Sequence, residues 1–238
     1  MELIFDVGSN RGEWTETILS RNRDCKIVCV EPQENHASHL EQKFSTLISS
    51  GRVVVYNKAI SKEEGNINFY MCNEDDGCST TDEDFRENSC FAASEKIMQD
   101  GVMFKDHYTY NDPITIKTTT LDNLIHENGI PDLLKLDIEG HEYEALLGLT
   151  QKVPLLTFEW HETMRDKVIR SIERLSTLGF TQFSTEIWYF SREYHDQEIT
   201  DYKSLDEFIS WFNDNLDQEV PDINEREWTN RGGMVWAR

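Results

Sequence analysis

Apolar positions along the chain fall into two rhythms. Short apolar runs occur at Leu3–Asp6, Lys26–Val30, Arg52–Ile60, Leu133–Leu136 and Val153–Phe158. They are too short for helices and carry little polar alternation. That pattern predicts strands buried on both faces of a parallel sheet. Between them the apolar residues recur at helical spacing. Helices are predicted at Glu13–Leu19, over residues 33–50 with Leu40, Phe44, Leu47 and Ile48 inward, and at Thr119–Ile125 behind a Thr cap. Two more follow, at Tyr143–Leu149 and at Arg165–Leu178, the latter with Val168, Ile169, Ile172, Leu175 and Leu178 on one face. Gly51 and Gly179 stop two of these helices. The alternation predicts an α/β, doubly wound, mostly parallel sheet. Phe180–Phe190 completes it as a strand, Ser204–Leu216 as a helix and Gly233–Ala237 as a final strand.

Two stretches depart from the rhythm. Gly65–Cys72 alternates polar and apolar residues and predicts an added strand, pairing with Ile114–Thr118. Between them, residues 73–112 are polar and irregular, and a long insertion of this kind is usually functional. We expect it to act as a lid on the ligand side of the sheet. Residues 191–230 are acidic and match no pattern. The whole, residues 1–238, fits one domain.

Composition narrows the partners. Hydrophobic residues make up 38%, with 12 Phe and 6 Trp, enough for a real core. The formal net charge is −22, which repels phosphate backbones and anionic lipid. Nucleic acid and membrane are therefore excluded as expected partners, and no apolar run approaches a membrane span. The odd cysteine count of 5 and the early first strand fit free thiols in a reducing, cytoplasmic setting. The sequence leaves the oligomeric state open.

The chemistry begins at Phe5-Asp6-Val7-Gly8-Ser9-Asn10-Arg11-Gly12-Glu13-Trp14. Gly8 and Gly12 lack a Cβ, so backbone can approach a ligand there. A helix N-terminus follows, with unpaired N–H groups. Glu31, ending the second strand, sits about twenty residues on, where such folds hold a ribose diol. The loop lacks the G-x-G-x-x-G fingerprint, and Asp6 suits a ligand with an ammonium group better than a pyrophosphate. S-adenosylmethionine offers that ammonium, a ribose and an adenine. Ala59 and Ile60, ending the third strand, are candidate neighbours of the base, with ordinary core as the equal alternative.

At this point the stretch resembles the cofactor loop of class I methyltransferases, and those of the FkbM family in particular. Leu134-Lys135-Leu136-Asp137-Ile138-Glu139-Gly140-His141-Glu142-Tyr143-Glu144-Ala145-Leu146-Leu147-Gly148 resembles that family's second hallmark. The resemblance covers roughly residues 3–190. It implies a Rossmann-like, seven-stranded sheet whose last strand is antiparallel, S-adenosylmethionine as cofactor, and a hydroxyl acceptor on a sugar or polyketide-like metabolite. FkbM-like chains carry a Ser or Ser-Thr after the added strand, and Ser79-Thr80 matches.

Two neighbouring strands deliver Asp137, Glu139, Glu159 and His161 to one edge, with His141 nearby. An alcohol must lose its proton to accept a methyl group, to a base or through a metal. In one arrangement Asp137, Glu159 and His161 bind Mg²⁺ or Mn²⁺, a placement resembling metal-dependent O-methyltransferases. In the other, His141 or His161 is the general base. Asp137 alternatively faces the sulfonium of the cofactor. We favour a sugar or glycan hydroxyl as acceptor, because a carboxylate-rich cleft suits hydroxyl hydrogen bonds. A nicotinamide-dependent oxidoreductase is the rival, since Glu31 also fits its ribose. Against it stand the missing third glycine, Asp6, and the lack of a Tyr-x-x-x-Lys pair: Tyr143 is followed by Leu147 and Tyr189 by Glu193. A non-catalytic binding protein on the same fold is the third possibility.

Overall fold

The computed structural model describes residues 1–73, 76–89, 91–92, 103–189, 201–217 and 231–238. Its strands are β1 (Leu3–Val7), β2 (Lys26–Val30), β3 (Val53–Tyr56), β4 (Ala59–Ile60), β5 (Gly65–Phe69), β6 (Ile114–Thr119), β7 (Leu133–Leu136), β8 (Leu155–His161), β9 (Phe183–Thr185), β10 (Trp188–Tyr189) and β11 (Arg231–Ala237). The helices are α1 (Glu13–Arg21), α2 (Glu34–Lys43), α3 (Ser45–Ser49), α4 (Glu83–Asn88), α5 (Phe104–His107), α6 (Leu121–Asn128), α7 (Glu142–Leu147), α8 (Arg165–Thr177) and α9 (Leu205–Leu216).

The main sheet runs β3-β2-β1-β7-β8-β11, with β9 and β10 both on the outer edge of β11. Their register is continuous, from Phe183↔Ala237 to Tyr189↔Arg231. They act as one interrupted strand, so eight strands occupy seven positions. The first five strands of that order are parallel and β11 is antiparallel to both neighbours. This is the expected α/β class, including its reversed last strand. Alternate residues of each central strand feed opposite faces. Phe5, Leu134, Phe158 and Ile172 join one core, which also takes Phe208 and Phe212 of α9. Ile4, Ile27, Cys29, Leu40 and Phe44 form the other. Burial on both sides is why the strands carry almost unbroken apolar runs.

A smaller sheet, β4-β6-β5, stands apart. β5 pairs β6 antiparallel from Gly65↔Thr118 to Phe69↔Ile114, as expected. The run Arg52–Ile60 is two strands instead of one. At its break the Asn57 amide donates to the Glu31 and Pro32 carbonyls, both at 3.0 Å. Ala59 and Ile60 then join β6. β3 is an edge strand, so within it only Val53 is fully buried. The helix expected over 33–50 is likewise two, α2 and α3, broken at Phe44. Thr120 caps α6, its side chain accepting from Asn123 N, and Ser204 with Glu207 forms a capping box on α9.

The described part of the insertion packs down on the main domain: Phe85 of α4 is fully buried. Most of the acidic 191–230 segment lies outside the described residues. Cys25, Cys29, Cys72 and Cys78 are buried and form no disulfide with one another, and Cys90 lies outside the described residues. Among the described residues no helix is long and apolar enough to cross a membrane.

Candidate active site

β1 and β7 are neighbours whose connections depart to opposite sides, and the turns after them open the sheet at its carboxyl edge. The loop after β1 is tightly determined. Gly8 has φ +79°, and a Cβ there would stand 1.7 Å from the Asp137 carbonyl oxygen. Gly8 N and Ser9 N both donate to Val30 O, at 3.0 and 3.1 Å, and Gly12 N donates to Ser9 O at 2.8 Å. Asn10, at φ 45°, donates its N–H to Glu31 Oε2 at 2.8 Å. These amides are engaged within the protein. The loop is therefore no phosphate cradle, which fits a nucleoside without phosphates.

Glu31 is fixed from both sides, since its Oε1 accepts from Gln33 N at 2.8 Å. Burial pushes its carboxyl up to about 7, against the pull of the two backbone donors. From Glu31 a cleft extends across the sheet edge. Its walls include Gly8 and Asn10, Ala59 and Ile60, Phe69, Ser79 and Thr81 of the insertion, and Asp137 to Glu139 after β7. It encloses about 730 Å³ of space, open solvent at its mouth included.

Two charge clusters adjoin it, each contributing one residue to its wall, Asp137 from one and Glu139 from the other. In the first, Lys135 Nζ is 3.1 Å from Asp6 Oδ1 and 3.2 Å from Asp137 Oδ2. Burial works against the lysine's charge, but Asp137 and Asp6 outweigh it and raise its pKa. Burial likewise opposes ionisation of Asp137, and Lys135 with a hydrogen bond to Glu159 overcomes it, holding that carboxyl low. In the second cluster, His161 Nε2 lies 3.2 Å from Glu159 Oε2 and 3.5 Å from Glu139 Oε2. Burial, then the Asp137 charge, pushes Glu159 well up. Glu139 rises to about 7, again first through burial. The Phe85 ring meets His161 edge-on at 5.1 Å. Glu139 itself sits at φ 54°, an uncommon conformation for a side-chain-bearing residue. Thr80 Oγ1 holds its carbonyl at 2.6 Å. A Cβ at Gly140 would meet Phe85 at 2.7 Å, so the insertion closes over this turn.

Of the residues singled out in the sequence, Gly8, Asn10, Glu31, Ala59, Ile60, Ser79 and Asp137 line one cleft. Asp6 does not. It is fully buried behind the loop, bound by Lys135 and by the Thr15 hydroxyl at 2.6 Å, so it cannot reach a ligand's ammonium. Gly12 is also set back, because a Cβ there would fall 2.6 Å from Leu40 and 2.7 Å from Phe44. His141 points away as well. Its Nε2 faces Ser61 Oγ at 3.3 Å, and burial pushes its pKa down to about 4. The ligand set for a metal also changes. Among the described residues, Glu139, Glu159 and His161 bring ligand atoms within 4.8 Å of one another. Asp137 is outside that set and pairs with the Lys135 ammonium. Lys135 itself escaped the sequence reading. A lone lysine between leucines in a doubly buried strand was the available signal, since buried lysines are almost always paired.

The strand order, the reversed β11 and the acid facing a glycine turn together define a class I methyltransferase fold. The chain belongs to the FkbM methyltransferase-domain family, matched over residues 6–202, and so to the S-adenosylmethionine-dependent methyltransferases. It is 26% identical over 199 residues to the hexuronic acid methyltransferase AglP of Haloferax volcanii, covering 81% of this chain and 67% of that protein. In fold it is similar to the methyltransferase FkbM of Methylobacillus flagellatus KT, with a TM-score of 0.51 and 12% identity. That overlay covers 100% of this chain and 43% of the other. Family membership sets the nicotinamide alternative aside.

Proposed function

We propose that this chain methylates a hydroxyl of a sugar, in a glycan or a small metabolite, with S-adenosylmethionine as donor. The observation that carries the reading is the cleft joining Glu31 to Asp137 and Glu139, with His161 and Glu159 packed directly behind Glu139 in an adjoining pocket. The cofactor, when bound, supplies an electrophilic methyl group on a cationic sulfur. Glu31, fixed by two amides, accepts the ribose hydroxyls, and Ala59, Ile60 and Phe69 give the base an apolar wall. Asp137 presents a carboxylate to the cationic end. An alcohol is a poor nucleophile near neutrality, so His161 takes its proton, and the flanking Glu159 and Glu139 orient the ring. The name of the Haloferax relative supports a sugar acceptor. The charge of −22 disfavours nucleic acid and anionic membrane, and the buried thiols fit a cytoplasmic setting.

A second reading keeps the site and adds a divalent ion. Glu139, Glu159 and His161 would hold it, and their oxygen-rich set suits Mg²⁺ or Mn²⁺. One experiment addresses both. Radiolabelled methyl transfer from S-adenosylmethionine is measured on neutral and uronic-acid oligosaccharides, with EDTA or with Mg²⁺. Label on a sugar oxygen, reduced about 10²–10⁴-fold by His161→Ala, is the expected result. Label entering nucleic acid or protein instead would overturn the acceptor class. Activity surviving EDTA removes the ion.

A further inference from the structure

Lys135 is 5% exposed and sits in the centre of the parallel sheet, yet it does not line the cleft. Its inner contacts are rigid. Asp6 is fully buried and further held by Thr15, the Gly8 carbonyl lies at 3.4 Å, and the Trp14 ring centre at 5.4 Å. Its outer contact is different in kind. The Asp137 side chain is 33% exposed and forms part of the cleft wall. One ammonium therefore ties a cleft carboxylate to a buried one on the neighbouring strand. The other two acids of the cleft are supported otherwise: Glu31 by backbone amides, Glu139 beside His161.

We propose that Lys135 is a positioning residue, acting through Asp137 to make the cleft prefer the charged methyl donor over the spent cofactor. The inference rests on the cofactor reading above. The donor carries a sulfonium, and methyl transfer leaves a neutral thioether. A carboxylate held at a fixed angle by a packed lysine attracts the first and is indifferent to the second. Because the carboxylate is held in advance, no reorganisation offsets that attraction. Without Lys135 the Asp137 side chain loses its anchor, and the discrimination goes with it.

Calorimetry on the full chain tests this, with S-adenosylmethionine and S-adenosylhomocysteine as the two probes. Lys135→Met should weaken the first by about tenfold or more and the second by less than about threefold. Lys135→Arg, which keeps the charge, should restore most of the difference. Asp137→Asn should reproduce the loss, and the double variant should add little to either single one, since the two act as a unit. If Lys135→Met does not fold, the pair Lys135→Gln with Asp6→Asn removes the inner charges together and carries the same expectation. A folded variant whose affinities fall equally for both probes, or not at all, overturns the inference. A wild-type chain binding neither probe would instead defeat the cofactor reading.

Discussion

Three glutamates near the cleft are buried deeply enough to resist ionisation. Burial is the first cause in each case, taking Glu31 and Glu139 up to about 7 and Glu142 up to about 8. In the unfolded chain each ionises near 4.5. Between those values the native state holds more protons than the unfolded one, so stability rises as pH falls. His141 acts in the opposite sense. It stays neutral in the fold down to about 4, whereas the unfolded imidazole takes a proton below 6.5. The melting temperature should therefore climb as pH is lowered from about 8.5 towards 5, His141 cancelling only about one of the three extra native protons below 6.5. Glu142→Gln should remove the highest-pH part of the climb. A flat or inverted profile by differential scanning calorimetry would contradict the burial of these acids. At this scale the sequence was informative about residue type and less so about partners. Asp137, Glu159 and His161 were legible as a group at one strand edge. That Glu139 replaces Asp137 beside His161 depends on the left-handed backbone at Glu139 and on Lys135, neither of which a spacing rule contains.

At the level of elements, the insertion forms a wall of the site. Thr80, 1% exposed, donates to the Glu139 carbonyl at 2.6 Å and accepts from Asp82 N at 2.8 Å. Asp82 caps α4 through Phe85 N and pairs with Lys167 of α8, which places Phe85 against Gly140 and His161. One hydroxyl thus joins the insertion to the turn between β7 and α7. Thr80→Val keeps the shape but removes both hydrogen bonds from a half-buried amide and a half-buried carbonyl. The expected cost is about 1–3 kcal/mol in urea unfolding, from two lost hydrogen bonds. Thr80→Ser should recover most of it. A valine variant within about 0.5 kcal/mol of wild type would mean that the clamp contributes little. The polar composition of residues 73–112 marked an insertion over the cleft and hid this anchorage, because the few apolar anchors are spread through acidic sequence. The break after β3 was hidden for the reverse reason. Its apolar run continues unbroken while the chain changes sheets, and only Asn57 marks the turn.

Across the whole molecule, the fold was legible because both faces of the sheet demand apolar residues, and the charge was legible because little of it fits inside. Apart from the clusters at the site, the surplus acid must lie outside, and a net charge of −22 acts against the compact state. A chain of 238 residues has a radius of gyration of about 18 Å. At 10 mM salt the screening length is about 30 Å, so repulsion spans the molecule; at 0.15 M it is about 8 Å and reaches only neighbours. Exposed pairs such as Lys43 with Glu16 and Arg165 with Asp217 would weaken in salt, but such pairs contribute little. The buried Asp6–Lys135–Asp137 chain is shielded from ions by the protein around it. Relief of repulsion should win. The melting temperature should rise by several degrees from 10 mM to 0.5 M NaCl, most of it below about 0.15 M, and equally in KCl. A rise confined to the highest concentrations would point to salt acting on apolar burial rather than on charge. A fall would mean that surface pairing, despite its small expected worth, outweighs the surplus acid.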